Sequence, residues 1–170
     1  MTFVVDGTNG LTFPNSTTQA SAGKVLQVVS YTANTLSNLA STTSQTLSST
    51  GFSVSITPSS SASKVLVTVQ STTYLQGTPT ILGIFTIYRG STNLASGANP
   101  PQYMAGVQMT SGTSVGVPLF MQVLDSPATT SSTTYTVYFA GQTGQYTQFG
   151  TSIGFAGNSN SIITAMEIAA

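Results

Sequence analysis

Apolar and polar residues alternate along much of this chain. In Gly51–Thr57 ("GFSVSIT"), Phe52, Val54 and Ile56 interleave with Ser53, Ser55 and Thr57. That period of two belongs to a strand with one buried face. Lys64–Ser71 repeats it through Val65, Val67 and Val69, and Thr134–Gly141 through Tyr135, Val137 and Phe139. Lys24–Tyr31 ("KVLQVVSY") is rich in β-branched residues and predicts another strand. Thr80–Gly90 ("TILGIFTIYRG") and Val115–Asp125 ("VGVPLFMQVLD") are apolar on both faces, as in strands buried between layers. Pro118 lacks an N–H and predicts an edge or a bulge in the second. A short strand is expected near Ile153 and Phe155. Ser161–Ala170 ("SIITAMEIAA") closes the chain as a strand with Ile162, Met166 and Ile168 on one face.

Turn chemistry separates these segments. Thr57–Ser63 and Asp125–Thr133 are polar loops, Arg89–Asn93 is a tight turn, and Gly97–Pro101 is a break that no ladder can continue through. The stretch from Thr32 to Thr50 is ambiguous. Leu36 and Leu39 have helical spacing, but the surrounding Ser and Thr lower helix propensity. It reads as a long connection with a ragged edge strand around Gln45–Ser48. The total of roughly eight to ten short strands predicts an all-β fold, an antiparallel sandwich or barrel over residues 24–170.

Residues 1–23 differ. Two apolar triplets, Phe3–Val5 and Leu11–Phe13, flank the turn dipeptides Asp6-Gly7 and Asn9-Gly10, which predicts a small hairpin. Pro14 ends the pairing, and a polar linker follows. Two triplets cannot stabilise an isolated hairpin in water. The segment therefore reads as a stem or anchor, with Phe3, Val4, Val5, Leu11 and Phe13 as its candidate assembly residues.

Composition sharpens this picture. Only 4% of the residues are charged, against 39% hydrophobic, and the net charge is zero. Soluble domains usually carry about 25% charged residues. A surface kept wet by hydroxyls and amides repels its own copies weakly, which favours assembly. There is no His and no Cys. That removes disulfides, thiol nucleophiles, the commonest general base and the commonest metal ligands. No basic cluster is present to grip nucleic acid. No export signal is evident, and no apolar run reaches the ~20 residues of a membrane helix.

The remaining chemistry is sparse. Asp6, Asp125 and Glu167 are the only carboxylates, whereas glycoside hydrolysis needs a pair about 5–10 Å apart. Asp6 and Asp125 read as turn residues and Glu167 as a solvent-facing or cation-paired one. A Ser–Lys pair would have to use Lys24 or Lys64, both at strand starts. The Gly-rich stretches "DGTNG" and "GFAGNSN" match neither a P-loop nor a dinucleotide fingerprint. Asn15-Ser16-Thr17 matches the glycosylation triplet without other support for that context. No enzyme, metal or cofactor is expected. Tyr103, Tyr146 and Phe149 lie in or beside loops, where aromatic rings can stack on sugars or on a protein partner, or simply pack locally.

Three stretches resemble one family. Asp6–Val29 ("DGTNGLTFPNSTTQASAGKVLQVV") is similar to the segment leading into the distal domain of bacteriophage tail-fibre and fibre-like virion proteins, which carries a phrase of the form GLTFPDxTxQ. Ser53–Val67 resembles the second strand, loop and third strand of such tips, and Ile162–Ala170 their closing strand. The resemblance implies a homotrimeric, jelly-roll-like head on a slender stem. It implies exposure on the virion, contact with other virion proteins through the N-terminal segment, and attachment to a host-surface glycan. With Met1 only a few residues before the phrase, no separate tail-anchoring domain is expected. That brings forward a second role, a capsid decoration or cement protein. A non-viral lectin-like adhesin shares the sandwich but would need an export signal.

Overall fold

The alternating segments do pair as strands. In a computed structural model, the described residues are 4–6, 10–12, 18–19, 24–35, 40–78, 80–95, 102–110, 113–151 and 159–170. They form no helix and fourteen strands: β1 Val4–Asp6, β2 Gly10–Thr12, β3 Thr18–Gln19, β4 Val25–Thr35, β5 Ala40–Thr42, β6 Ser48–Ile56, β7 Lys64–Gln76, β8 Ile81–Arg89, β9 Thr92–Asn93, β10 Ala105–Met109, β11 Ser114–Asp125, β12 Thr133–Gly141, β13 Tyr146–Phe149 and β14 Ser159–Ile168.

Two antiparallel sheets make a β-sandwich. One runs β10-β8-β12-β6, with β9 added to β8. The other runs β4-β14-β7-β13-β5, with β11 on the far edge of β7. The chain crosses between sheets at β5–β6, β6–β7, β7–β8, β10–β11, β11–β12 and β12–β13. Between the sheets lie Phe52, Val54 and Ile56 of β6, Val65, Val67 and Val69 of β7, and Tyr135, Val137 and Phe139 of β12. These are the alternating positions read from the sequence. Phe149 joins Phe52 and Phe85 at centroid distances of 5.5 and 6.5 Å.

The stem hairpin forms as expected, with Val5 opposite Leu11. The linker is not wholly unpaired, because β3 pairs back onto β2. Other expectations need correction. The edge strand expected at Gln45–Ser48 lies at Ala40–Thr42, where it pairs with β13; Leu36 and Leu39 lie outside the described residues. The strand expected near Ile153 and Phe155 also lies outside them. Pro118 does mark an edge. β11 follows β7 in unbroken register from Ser114↔Gln76 to Asp125↔Val65, so there is no bulge at Pro118. The composition of Val115–Asp125 predicts burial on both faces, but only its inner face is buried, through Leu119 and Met121.

β7 is the spine of the larger sheet. On one edge it carries β11 throughout. On the other, β14 pairs with Lys64–Gln70 and β13 with Thr73–Gln76. The sheet forks between them. There the core face turns from valine to hydroxyl, and side chains bridge the gap: Ser71 Oγ to Ser161 Oγ at 2.7 Å, and Thr72 Oγ1 to Ser159 Oγ at 2.7 Å. Thr72 Oγ1 also donates to the Thr151 carbonyl, and Gly150 N donates to the Thr72 carbonyl at 2.9 Å. Hydroxyls are what a buried break in a ladder requires, since unpaired polar groups there are costly. β6 has its own irregularity: Ser49 pairs with Tyr138 but Ser53 with Thr136. Gly51, at φ +77°, takes the left-handed conformation this needs. The Thr50 hydroxyl donates to the Val137 carbonyl at 2.8 Å.

Candidate functional site: the outer face of the larger sheet

Two carboxylates remote in sequence meet on one row. Asp125 of β11 and Glu167 of β14 are both opposite Val65 of β7, on the core face. With strands about 4.8 Å apart, their backbones stand about 10 Å from each other. Neither is a turn residue or a solvent-facing one. Asp125 is buried. It accepts from Arg89 Nη1 at 2.8 Å on each oxygen and from the Tyr135 hydroxyl at 2.8 Å. Burial, with the Asp125 carboxylate beside it, pushes the Tyr135 phenol well above its ordinary range, against the opposing pull of Arg89.

Glu167 corrects its expectation outright, because it is fully buried. Burial favours the neutral acid. Against it, the carboxylate accepts from Ser59 Oγ at 2.7 Å, Gln27 Nε2 at 2.6 Å and Ser59 N at 2.8 Å. These donors prevail and hold its pKa at about 2. The buried Ser63 hydroxyl adds to that effect while making no hydrogen bond of ordinary geometry. Gln27 Nε2 also donates to the Thr57 carbonyl at 2.6 Å. Glu167 thus ties β14, β4 and the β6–β7 loop together.

The loop aromatics do not form one site. Phe149 is a core residue with no exposed surface, so its place as a ligand contact is overturned. It follows Thr147 at the inward period of β13, a strand too short for the sequence pattern to reveal. The Tyr103 ring is half exposed and packs over Gly106, where a Cβ would come within 3.0 Å of it. It lines a shallow depression with Leu94, Ala95, Met104, Gln122 and Val123. Tyr146 lies elsewhere, 53% exposed on β13. The anchor residues Val4, Val5 and Leu11 fall on β1 and β2, with their side chains outside the described set, as are Phe3 and Phe13.

Tyr146 belongs to a pattern the sequence hid. It is opposite Gln76, and the next outward pair is Gln148 opposite Tyr74. Tyr and Gln therefore occupy the corners of a checkerboard on two adjacent strands. On the β11 side, Ser114 and Gly116 stand opposite Gln76 and Tyr74, and Ser41 of β5 stands opposite Gln148. Beside these small neighbours Tyr146 and Gln76 are exposed, and Tyr74 and Gln148 are partly so.

Nearer the start of β7, the same outer face is apolar. Val28, Met166, Leu66 and Leu124 are in direct register across β4, β14, β7 and β11. The next row is polar: Ser30, Thr164, Thr68 and Gln122. The row after it carries Ile162 and Phe120 on either side of Gln70. Val28 is 58% exposed, Phe120 57% and Leu124 51%. Lys24, which follows residues 1–23 in the chain, joins the sheet at this end, where its carbonyl accepts from Ala169 N at 2.8 Å. The Tyr–Gln checkerboard is at the far end, twelve residues along β7 and about 40 Å away at 3.3 Å per residue.

No family model matches the chain, and no curated protein matches it. Among solved structures, it is similar to a chain of the "Structure of infectious bursal disease virus Gx strain", with a TM-score of 0.43 and 13% sequence identity. The likeness covers 85% of this chain and 38% of the length of that one. A likeness this distant carries no information about role.

Proposed function

We propose that this chain is a non-enzymatic virion structural protein of a bacteriophage, a homotrimeric, jelly-roll-like knob on a short stem that attaches the particle to a host-surface glycan. The observation that carries this reading is the Tyr–Gln checkerboard of Tyr74, Gln76, Tyr146 and Gln148 at the end of the sheet farthest from Lys24. Neutral sugars present apolar C–H faces and a rim of hydroxyls. Tyrosine rings supply flat apolar surface with a polar tip, and glutamine amides both donate and accept. No charge is needed for such a ligand. The resemblance of Asp6–Val29, Ser53–Val67 and Ile162–Ala170 to phrases of tail-fibre tips supports the virion setting. Contacts through residues 1–23 would join the knob to other virion proteins.

The test is binding of the full chain to host cells and to a panel of host-surface glycans. Wild type binds, and Tyr74→Ser with Tyr146→Ser weakens binding about 5–160-fold, at about 0.5–1.5 kcal/mol per lost aromatic contact. Undiminished binding by the double variant would remove the checkerboard from the reading. Binding to capsids lacking the protein, with none to host surfaces, would replace attachment by decoration.

A further inference from the structure

We propose that the half of this outer face nearer Lys24, centred on the row Val28, Met166, Leu66 and Leu124, is the surface through which copies of this chain bind one another. The inference rests on the reading above that the chain assembles, and it names the surface. The row is continuous across four strands, and Phe120 and Ile162 extend it beyond one line of hydroxyls and amides. The sequence of β11 points the same way. Val115–Asp125 has the composition of a strand covered on both faces, yet the single chain covers only the side of Leu119 and Met121. Among the described residues, no second layer covers the other side.

Charge identifies the occupant. The rows contain no carboxylate, and Lys64 stands at one corner beside Ile168. Close to a symmetry axis a side chain meets its own copies, so a charge there would face the same charge. An uncharged apolar face meets itself without that cost. Apart from Lys64 at its corner, a partner recognised by charge would find nothing here to pair with. Size agrees as well. Four strands about 4.8 Å apart and seven residues at about 3.3 Å span about 400 Å², half of the ~800 Å² a standard interface buries on each side. That suits the apolar core of an interface whose rim is polar. Lys24, which follows the stem in the chain, joins the sheet at this end, so copies joined through their stems hold these halves at high local concentration.

The experiment measures the solution mass of the full chain by light scattering at micromolar concentration. Wild type, and Leu82→Glu on the outer face of the other sheet, run as assemblies of several copies. Phe120→Glu with Leu124→Glu keeps the wild-type β circular dichroism and runs as a single chain, a loss of affinity of at least about a hundredfold from burying like charges. If that double variant assembles as wild type does, this surface is wrong and the assembly reading stands. If wild type is itself a single chain, both fall. Hydroxyl-radical footprinting of assembled wild type covers the case where the variant misfolds. Normalised to the denatured chain, Phe120 and Leu124 react about fivefold less than the similarly exposed Tyr103 and Tyr146 when an interface core excludes water from them. Equal reactivity overturns the proposal.

Discussion

Glu167 is negative, fully buried, and held by hydroxyl, amide and backbone donors without a cation. Its folded pKa of about 2 lies below its ordinary 4.5. The carboxylate therefore contributes stability that is fully present above the ordinary value and is lost as pH falls towards 2. Thermal unfolding at fixed concentration will show a midpoint that drops between about pH 5 and pH 2. Glu167→Gln will flatten that drop, because an amide does not titrate. It will also lower stability at neutral pH by about 1–3 kcal/mol, since the Gln27 amide must turn and release Thr57 to avoid donor facing donor. An unchanged pH profile in the variant would show that another group controls acid unfolding. In the sequence Glu167 reads as solvent-facing or cation-paired, because a lone carboxylate beside alanines has no visible partner. Its donors come from Gln27 and Ser59, distant in sequence, and only pairing brings them within reach.

At the scale of the strand, β14 shows where period-two reading stops. Its two faces are Ile162, Met166 and Ile168 on one side, and Ile163, Ala165 and Glu167 on the other. By hydrophobicity the first face should be inward. The structure turns it outward, with Ile163 fully buried and Ile162 36% exposed. The cause is register: Ile163, Ala165 and Glu167 are opposite Val69, Val67 and Val65, whose own face is the core. A one-residue slip would reverse every side chain. Two substitutions of the same residue type therefore separate the faces. Ile163→Ala will cost about 2–5 kcal/mol in denaturant unfolding, and Ile162→Ala less than half of that. Equal costs, or the reverse order, would mean that the strand is turned the other way. In β6 from Phe52 and in β12 from Thr134 to Phe139 no such ambiguity arises, because one face is apolar and the other is Ser, Thr or Tyr.

For the molecule as a whole, the larger sheet is divided along its length, with apolar rows at the Lys24 end and tyrosines and glutamines at the far end. Assembly through uncharged rows has a measurable consequence. Contacts between charges weaken as salt shortens the Debye length from about 10 Å at 0.1 M to about 3 Å at 1 M, whereas apolar contacts do not. The assembled mass will therefore be unchanged or larger when salt is raised over that range. Dissociation by salt would assign the contact to the few charged residues instead.

The sequence by itself determined the all-β class, the inward faces of β6, β7 and β12, the stem hairpin and the edge position of β11. Each of these follows from local alternation, turn residues or the missing N–H of Pro118. It also contained the sign that β11 is apolar on both sides. Tertiary structure alone decided which way β14 faces, that Asp125 and Glu167 flank Val65, that Phe149 is core, and that Tyr74 joins Tyr146. Those features depend on cross-strand register between segments far apart in the chain. Alternation within a strand says which residues share a face, but not which face the rest of the fold will cover.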